Sequence, residues 1–317
     1  MAYPGEPLYP YVHDQTGGRS VAGLSPTVVK RWVGSELQRL REAAGISQPA
    51  AAQRIGKAKA VVSHAERARN FPALPDLEIL LNLYGHPSRT PFFRRLIERA
   101  KQGEDWWVDS GELADAVPEW FELLLGMEWS ASKISSYDAQ WVPGLFHTPE
   151  YAEVLYRAGE RDLTDGEIAA KIQVRMARQA VITRPDPPHI RCVLDEAAVR
   201  RQVGGRAVWQ AQLQRLLELN ELANVEILVL PEVLGAHAGG EGTFTIIDFP
   251  PDFAEETEDG PAIPAVAYIE NRTQGIYYEE TDSVADFRRV FDRLYEQVKE
   301  EEVNYALASV VKKALRE

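Results

Sequence analysis

Apolar residues recur at helical spacing through the first third of the chain. Leu37, Leu40 and Ala44 share one face of a helix predicted over 33–44. Ala51, Ala52 and Ile55 share a face of a second, over 48–55, and Val62, Ala65 and the stem of Glu66 share a face of a third, over 58–67. Ser47 is placed to accept the free amides at the start of the second helix, Gly56 to turn the corner, and Ile46 to enter the same core from the preceding turn. After Pro75, Leu77, Leu80, Leu81 and Tyr84 predict a fourth helix ending near Gly85, and a fifth follows over 90–102.

The pattern then changes. Residues 117–182 read as helical, interrupted at Trp141-Val142-Pro143-Gly144-Leu145 and restarted by the cap Thr148 with Pro149 at the first helical position. Strands are predicted over 189–194, 225–230, 242–249, 265–269 and 275–279, with helices over 196–203 and 206–222. A last helix begins after Asp282, carries Phe287, Val290, Phe291, Leu294, Val298, Tyr305 and Leu307, and continues to Leu315. The expectation is a mainly α N-terminal helix-turn-helix bundle over 25–102 followed by a larger α+β domain over 112–317. The segment 103–111 joins them, with Trp106 and Trp107 expected to dock it. Residues 1–24, rich in Gly, Pro and Tyr without periodicity, are expected to lack fixed structure.

Charge sharpens this division. Residues 25–102 hold 14 Lys or Arg against 6 Asp or Glu, whereas residues 103–317 hold 20 against 40, within a chain of net charge −13. A basic module of net +8 attracts a phosphate backbone, and an acidic remainder of net −20 repels it, so the large domain is expected to face away from DNA. No apolar run is long enough to span a bilayer and no stretch reads as a signal peptide. With Cys192 as the only cysteine, no internal disulfide forms, and a cytoplasmic, nucleoid-associated setting is expected. Cys192 itself sits in an apolar run and reads as a packing residue.

If Val62, Ala65 and Glu66 face inward, the other side of the third helix presents Lys59, Ala60, Ser63, His64 and Arg67. Short polar side chains flanked by cations suit a major groove: Ser63 and His64 reach base edges, and Arg67 and Arg69 meet phosphates. Through Ser47-Gln48, Arg54-Ile55-Gly56, Val61-Val62-Ser63, Glu66-Arg67, Arg69 and Pro72, the segment resembles the helix-turn-helix domains of XRE-class, Cro and phage-repressor-like regulators. The resemblance implies that Gln48 contacts phosphate and that Lys59, Ala60, Ser63 and His64 read bases, with Lys57 beside them. Two positions depart from the pattern: Ala58 stands where a Ser or Thr cap is expected and Ala68 where a glycine is expected.

The large domain resembles the C-terminal domain of unknown function found in actinobacterial XRE-class regulators. Its carriers are Val142 to Ala152, Arg175 to Gln179, Leu194 to Arg201 with Val203-Gly204-Gly205, Leu228 to Pro231, and Gly242 to Thr245. This resemblance implies a transcriptional regulator, often antitoxin-like, whose gene commonly neighbours one for a small partner protein; it implies no reaction.

No catalytic or metal-binding constellation stands out. Gly239-Gly240-Glu241-Gly242 precedes a strand and reads as a turn, not a phosphate loop. Asp195 and Glu196 read as caps of the following helix, and His147, His189 and His237 lack metal-ligand spacing. Arg175, Arg178 and Gln179 share a helical face, suited to an internal anchor or to an anionic ligand. Glu255, Glu256, Glu258 and Asp259 read as a solvated loop, or as a dock for a basic surface.

Trp141, Phe146, His147 and Tyr151, gathered by the Pro143-Gly144 turn, form the candidate partner site, with core packing as the competing account. The favoured function is a sequence-specific DNA-binding regulator, not an enzyme and without a cofactor, whose large domain senses a small protein or a small-molecule effector. A homodimer on double-stranded DNA is expected, with the apolar strip of the last helix as a contact surface. A DNA-tethered, nucleotide-handling enzyme and an interaction module without DNA binding are the other two classes.

Overall fold

The computed structural model describes residues 25–102, 105, 107, 117–160, 162–250 and 263–315. The tail 1–24, Trp106 and the acidic run 255–259 lie outside the described residues. Five helices build the small domain: α1 (Pro26–Ala43), α2 (Gln48–Arg54), α3 (Lys59–Glu66), α4 (Leu74–Leu83) and α5 (Thr90–Ala100). The first helix starts well before the expected Val33, because Ser25 accepts from the Val28 amide and Pro26 occupies the first turn. It also stops at Ala43, so Ala44 is exposed, and Gly45, at φ +68°, turns the chain. The expected inward set is otherwise in place: Leu37, Leu40, Ala51, Ala52, Val62, Leu77, Leu80, Leu81 and Tyr84 form one core with Phe93, Leu96 and Ile97.

The large domain runs α6 (Glu119–Ser130), β1 (Lys133–Asp138), α7 (Pro149–Gly159), α8 (Asp165–Arg178), β2 (His189–Asp195), α9 (Glu196–Arg200), α10 (Gly205–Asn220), β3 (Val225–Leu230), β4 (Phe244–Asp248), β5 (Val266–Glu270), β6 (Gly275–Tyr278), α11 (Thr281–Tyr305) and α12 (Leu307–Ala314). Among its described residues six strands are ordered β3-β2-β1-β4-β5-β6, with β1, β2 and β3 parallel and the remaining pairings antiparallel. Strand β1, which helical periodicity had absorbed into a longer helical run, is thus a central strand. Six residues with two serines carry too little apolar signal to separate strand from helix, and β1 is fixed by its pairing with β2 and β4.

Side chains alternate across the sheet. Ile134, Ile190, Cys192, Leu194, Ile227, Val229, Ile247 and Tyr268 face a core shared with α6, α10 and α12. Tyr137, Val193, Leu228, Leu230, Phe244, Ile246 and Ala267 face the opposite core, shared with α11. The single closing helix expected to run to Leu315 is therefore two. Ala306, with extended backbone (φ −50°, ψ 137°), breaks it, and α11 and α12 pack on opposite sides of the edge strand β3. Phe291, Leu294 and Val298 are buried against the protein's own sheet, so the apolar strip expected to serve a dimer belongs to the fold.

The two domains are docked. Trp107 is buried among Val117, Leu125 and Val174. Asp105 accepts from Ser25 Oγ, from the Thr27 amide (3.1 Å) and from Thr27 Oγ1 (2.7 Å), so a carboxylate from the connecting segment caps α1. The Ser25 amide donates to Ser130 Oγ on α6 at 2.8 Å, and a Cβ at Gly126 would meet Ser25 Oγ at 2.5 Å.

Candidate nucleic-acid interface

The motif helices are held by packing and by a buried ion pair. Helix α1 approaches α3 so closely at Gly34 that a Cβ there would lie 2.6 Å from the Ala65 carbonyl oxygen and 2.8 Å from that of Glu66. Beside this contact Arg41 grips Glu66 with two bonds, Nε to Oε1 at 2.6 Å and Nη2 to Oε2 at 2.9 Å, and its Nη1 donates to the Ile46 carbonyl at 2.8 Å. Gln48 Nε2 donates to the same Glu66 Oε2 at 2.8 Å. One carboxylate therefore joins α1, the start of α2 and the end of α3. Burial disfavours the charges, but with both partners present the forked geometry satisfies them.

The turns follow the residues at them. Ser47 caps α2, its Oγ accepting from the Ala50 amide at 3.3 Å, and Gly56 sits at φ +67° between α2 and α3. Ala58 occupies the cap position of α3 and makes no side-chain cap bond, as its methyl dictates. Ala68 adopts φ +59°, the left-handed conformation for which a glycine was expected.

On the outward side of α3, Lys59, Ala60, Arg67 and Arg69 are exposed, and Ser63 and His64 are half-buried. Among the described residues, no carboxylate lies within ion-pair range of Lys59, Arg67 or Arg69. Lys57 differs: its Nζ pairs with Asp76 Oδ2 at 2.5 Å, tying the turn to α4. Gln48 likewise has an internal partner. Val61, which the sequence pattern did not single out, is 38% exposed on α3, where an apolar side chain can meet a thymine methyl. Helical period alone would have found it, because Val62 inward leaves Val61 outward.

The expected partner segment is arranged otherwise. Phe146, His147 and Tyr151 are buried, and only Trp141, 40% exposed with the Arg201 guanidinium 4.9 Å above its ring, faces solvent. Three of the four therefore do the work of core. His147 Nε2 donates to the Val142 carbonyl at 2.6 Å and Nδ1 accepts from Arg175 Nη1 at 2.8 Å, a bonding pattern that needs the neutral ring. Burial, together with the Arg175 charge, holds its pKa well below the ordinary value.

Arg178 forms a doubly bonded, buried pair with Glu128 of α6, and Gln179 Nε2 donates to the His147 carbonyl at 2.8 Å. Two of the three residues on that face are thus internal anchors, to α6 and the Pro143–His147 turn. Asp195 caps α9 through the Ala197 amide at 2.8 Å, and Cys192 is buried, its thiol pushed up by burial. Residues 239–242 form the turn entering β4, with a Cβ at Gly239 excluded by the Tyr137 ring at 2.5 Å. No described helix is long and apolar enough to cross a membrane.

A basic helix-turn-helix unit docked on a mixed α+β domain is the class of protein that fold and site define. A model described as a helix-turn-helix domain matches residues 32–90, and one described as a domain of unknown function, DUF5753, matches residues 121–302. The second match covers more than half of the chain, which belongs to the DUF5753 family. Neither the curated proteins nor the solved structures include a significant match.

Proposed function

We propose that the protein is a sequence-specific transcriptional regulator of the XRE class, in which α3 enters a major groove and the DUF5753 domain adjusts DNA binding in response to an effector. The outward side of α3 carries this reading. It groups Lys59, Ser63, His64 and Arg67 with nearby Arg69 on a domain of net positive charge, and its inner side is locked by Arg41 and Glu66. In this reading Ser63, His64, Ala60 and Val61 meet base edges, and Lys59, Arg67 and Arg69 meet phosphates. Gln48 and Lys57 take a supporting part, since each must keep or exchange its partner on binding.

The large domain works by binding, not by catalysis, which fits the antitoxin-like regulators that its sequence resembles. A homodimer on an inverted repeat follows from the few base pairs that one motif reads, with copies about 34 Å apart on the DNA. Binding to random double-stranded sites tests the assignment. Ser63→Ala and His64→Ala are expected to change the selected sequence, whereas Arg67→Ala and Arg69→Ala weaken every site and reduce the salt slope by about one each. Equal loss on all sequences from all four changes would refute the division of roles.

A further inference from the structure

A cavity of about 540 Å³ opens between α6, the ends of α7 and α8, and the turn joining β5 to β6. That is the size of a small-molecule site. Its apolar walls are Trp120 and Phe121, packed edge to face at 5.5 Å, and the ring of Tyr156. Three cations reach it, Lys171, Arg175 and Arg272, against two carboxylates, Glu160 and Glu270. This is a positive pocket in an acidic domain.

The cations are not equally satisfied. Lys171 Nζ is 3.1 Å from both oxygens of Glu160, and Glu270 accepts from Tyr268 Oη at 3.1 Å. Arg175 is half-buried, yet its partners are neutral: Nε donates to Tyr156 Oη at 3.0 Å and Nη1 to the neutral His147 at 2.8 Å, with the guanidinium 4.8 Å over the Tyr156 ring. Arg272, at the hairpin turn, makes one long bond to the Gly159 carbonyl at 3.4 Å and no ion pair among the described residues. A partly desolvated guanidinium with no counter-charge among the described residues, beside an open cavity, favours an anion there.

The wall of this cavity is linked to the helix-turn-helix domain through Tyr277, which does not itself line it. Tyr277, on β6, donates through Oη to the Trp120 carbonyl at 2.7 Å, and its ring lies 5.1 Å under the Arg31 guanidinium of α1. Two residues on, Glu279 pairs with Arg31 Nε at 2.9 Å. Arg31 lies on the same helix as Gly34 and Arg41, the residues that seat α3.

We propose that this cavity is the effector site, that it takes a small anion with a flat apolar body (an aromatic carboxylate, sulfonate or phosphate), and that occupancy is passed through the β5–β6 hairpin and Arg31 to α3. The coupling rests on the DNA-reading role proposed above; the binding does not. Titration calorimetry of the full chain without DNA, with naphthalene-1-sulfonate and the uncharged 1-naphthalenemethanol as probes, separates the two. The sulfonate is expected to saturate one site at least tenfold more tightly than the alcohol, and Arg272→Glu, on an exposed turn, to weaken it about tenfold while leaving the melting temperature unchanged. No saturable binding, equal affinity for both probes, or indifference to Arg272→Glu would overturn the site. Saturating sulfonate is then expected to shift the DNA dissociation constant about fivefold or more, and Glu279→Gln to abolish that shift while binding the probe normally. An unchanged DNA affinity, with probe bound, would overturn the coupling. A chain that binds the probe but never binds DNA would overturn the DNA-reading role and the coupling with it, leaving the site intact.

Discussion

At the scale of single residues, Gly34 and Ala68 make opposite demands. Alanine is the better helix former by about 1 kcal/mol, yet at Gly34 its Cβ would run into the Ala65 and Glu66 carbonyls. Gly34→Ala is therefore expected to lower the melting temperature and weaken DNA binding by pushing α3 outward. Ala68→Gly is expected to raise the melting temperature, since it relieves a left-handed alanine at a cost of about 1 kcal/mol. The strain at Ala68 was legible in the sequence because the motif fixes where a glycine belongs. The demand at Gly34 was not, because the obstacle lies on a helix some thirty residues away.

Asp138 gives a pH dependence of definite sign. Burial raises its pKa from 3.8 to about 7, against the opposing effects of hydrogen bonds from Ser136 (2.8 Å) and Cys192 and of the Arg178 charge. The folded state therefore holds the proton more tightly than the unfolded one. Its contribution to stability is full below about pH 4 and is lost as the pH rises through 7. Asp138→Asn is expected to raise the melting temperature more at pH 8 than at pH 5, as thermal denaturation at the two values would show; an equal shift at both would contradict the assignment. His147 acts in the other direction. With its folded pKa depressed, its contribution is present above the ordinary value of 6.5 and declines as the pH falls below it.

At the scale of elements, the small domain was legible almost throughout, because five amphipathic helices announce themselves by period and caps. Ser47, Gly56, Ala51, Ala52, Val62 and Ala65 stand where their spacing placed them. In the large domain β3 stood out through the run Ile227 to Leu230 and β2 through Ile190 and Cys192 to Leu194, whereas β1 did not, since its identity comes from neighbours distant in sequence. The aromatic cluster at 141–151 was ambiguous in the sequence for a related reason. Aromatic residues with polar tips serve interfaces and cores alike, and only the bonds from His147 to Val142 and Arg175 show which applies. Tyr151→Ala is accordingly expected to lower the melting temperature by several degrees, as a large buried truncation does. The packing of α3 hangs on Glu66: Glu66→Ala removes the buried partner of Arg41, leaving it only the exposed Glu42 at 3.3 Å, and is expected to cost about 3 kcal/mol in chemical denaturation. A loss below about 1 kcal/mol would mean that Arg41 finds solvent.

At the scale of the whole molecule, α1 belongs to both domains. Its first turns lie on α6 under the Asp105 cap and against Tyr277 and Glu279, and its last turns seat α3. Eighteen residues of helix span about 27 Å, so a displacement of α1 at the large domain is expected to carry α3 with it. The two domains are expected to melt in one calorimetric transition, and Asp105→Ala to release an earlier one from the small domain.

The central claim, that α3 reads a major groove, is tested most directly by methylation interference on a selected binding site. Methylation of guanine N7, in the major groove, is expected to block binding within each half-site, and the pattern is expected to change in His64→Ala. Interference confined to adenine N3 in the minor groove, with guanine N7 indifferent throughout the site, would contradict the account.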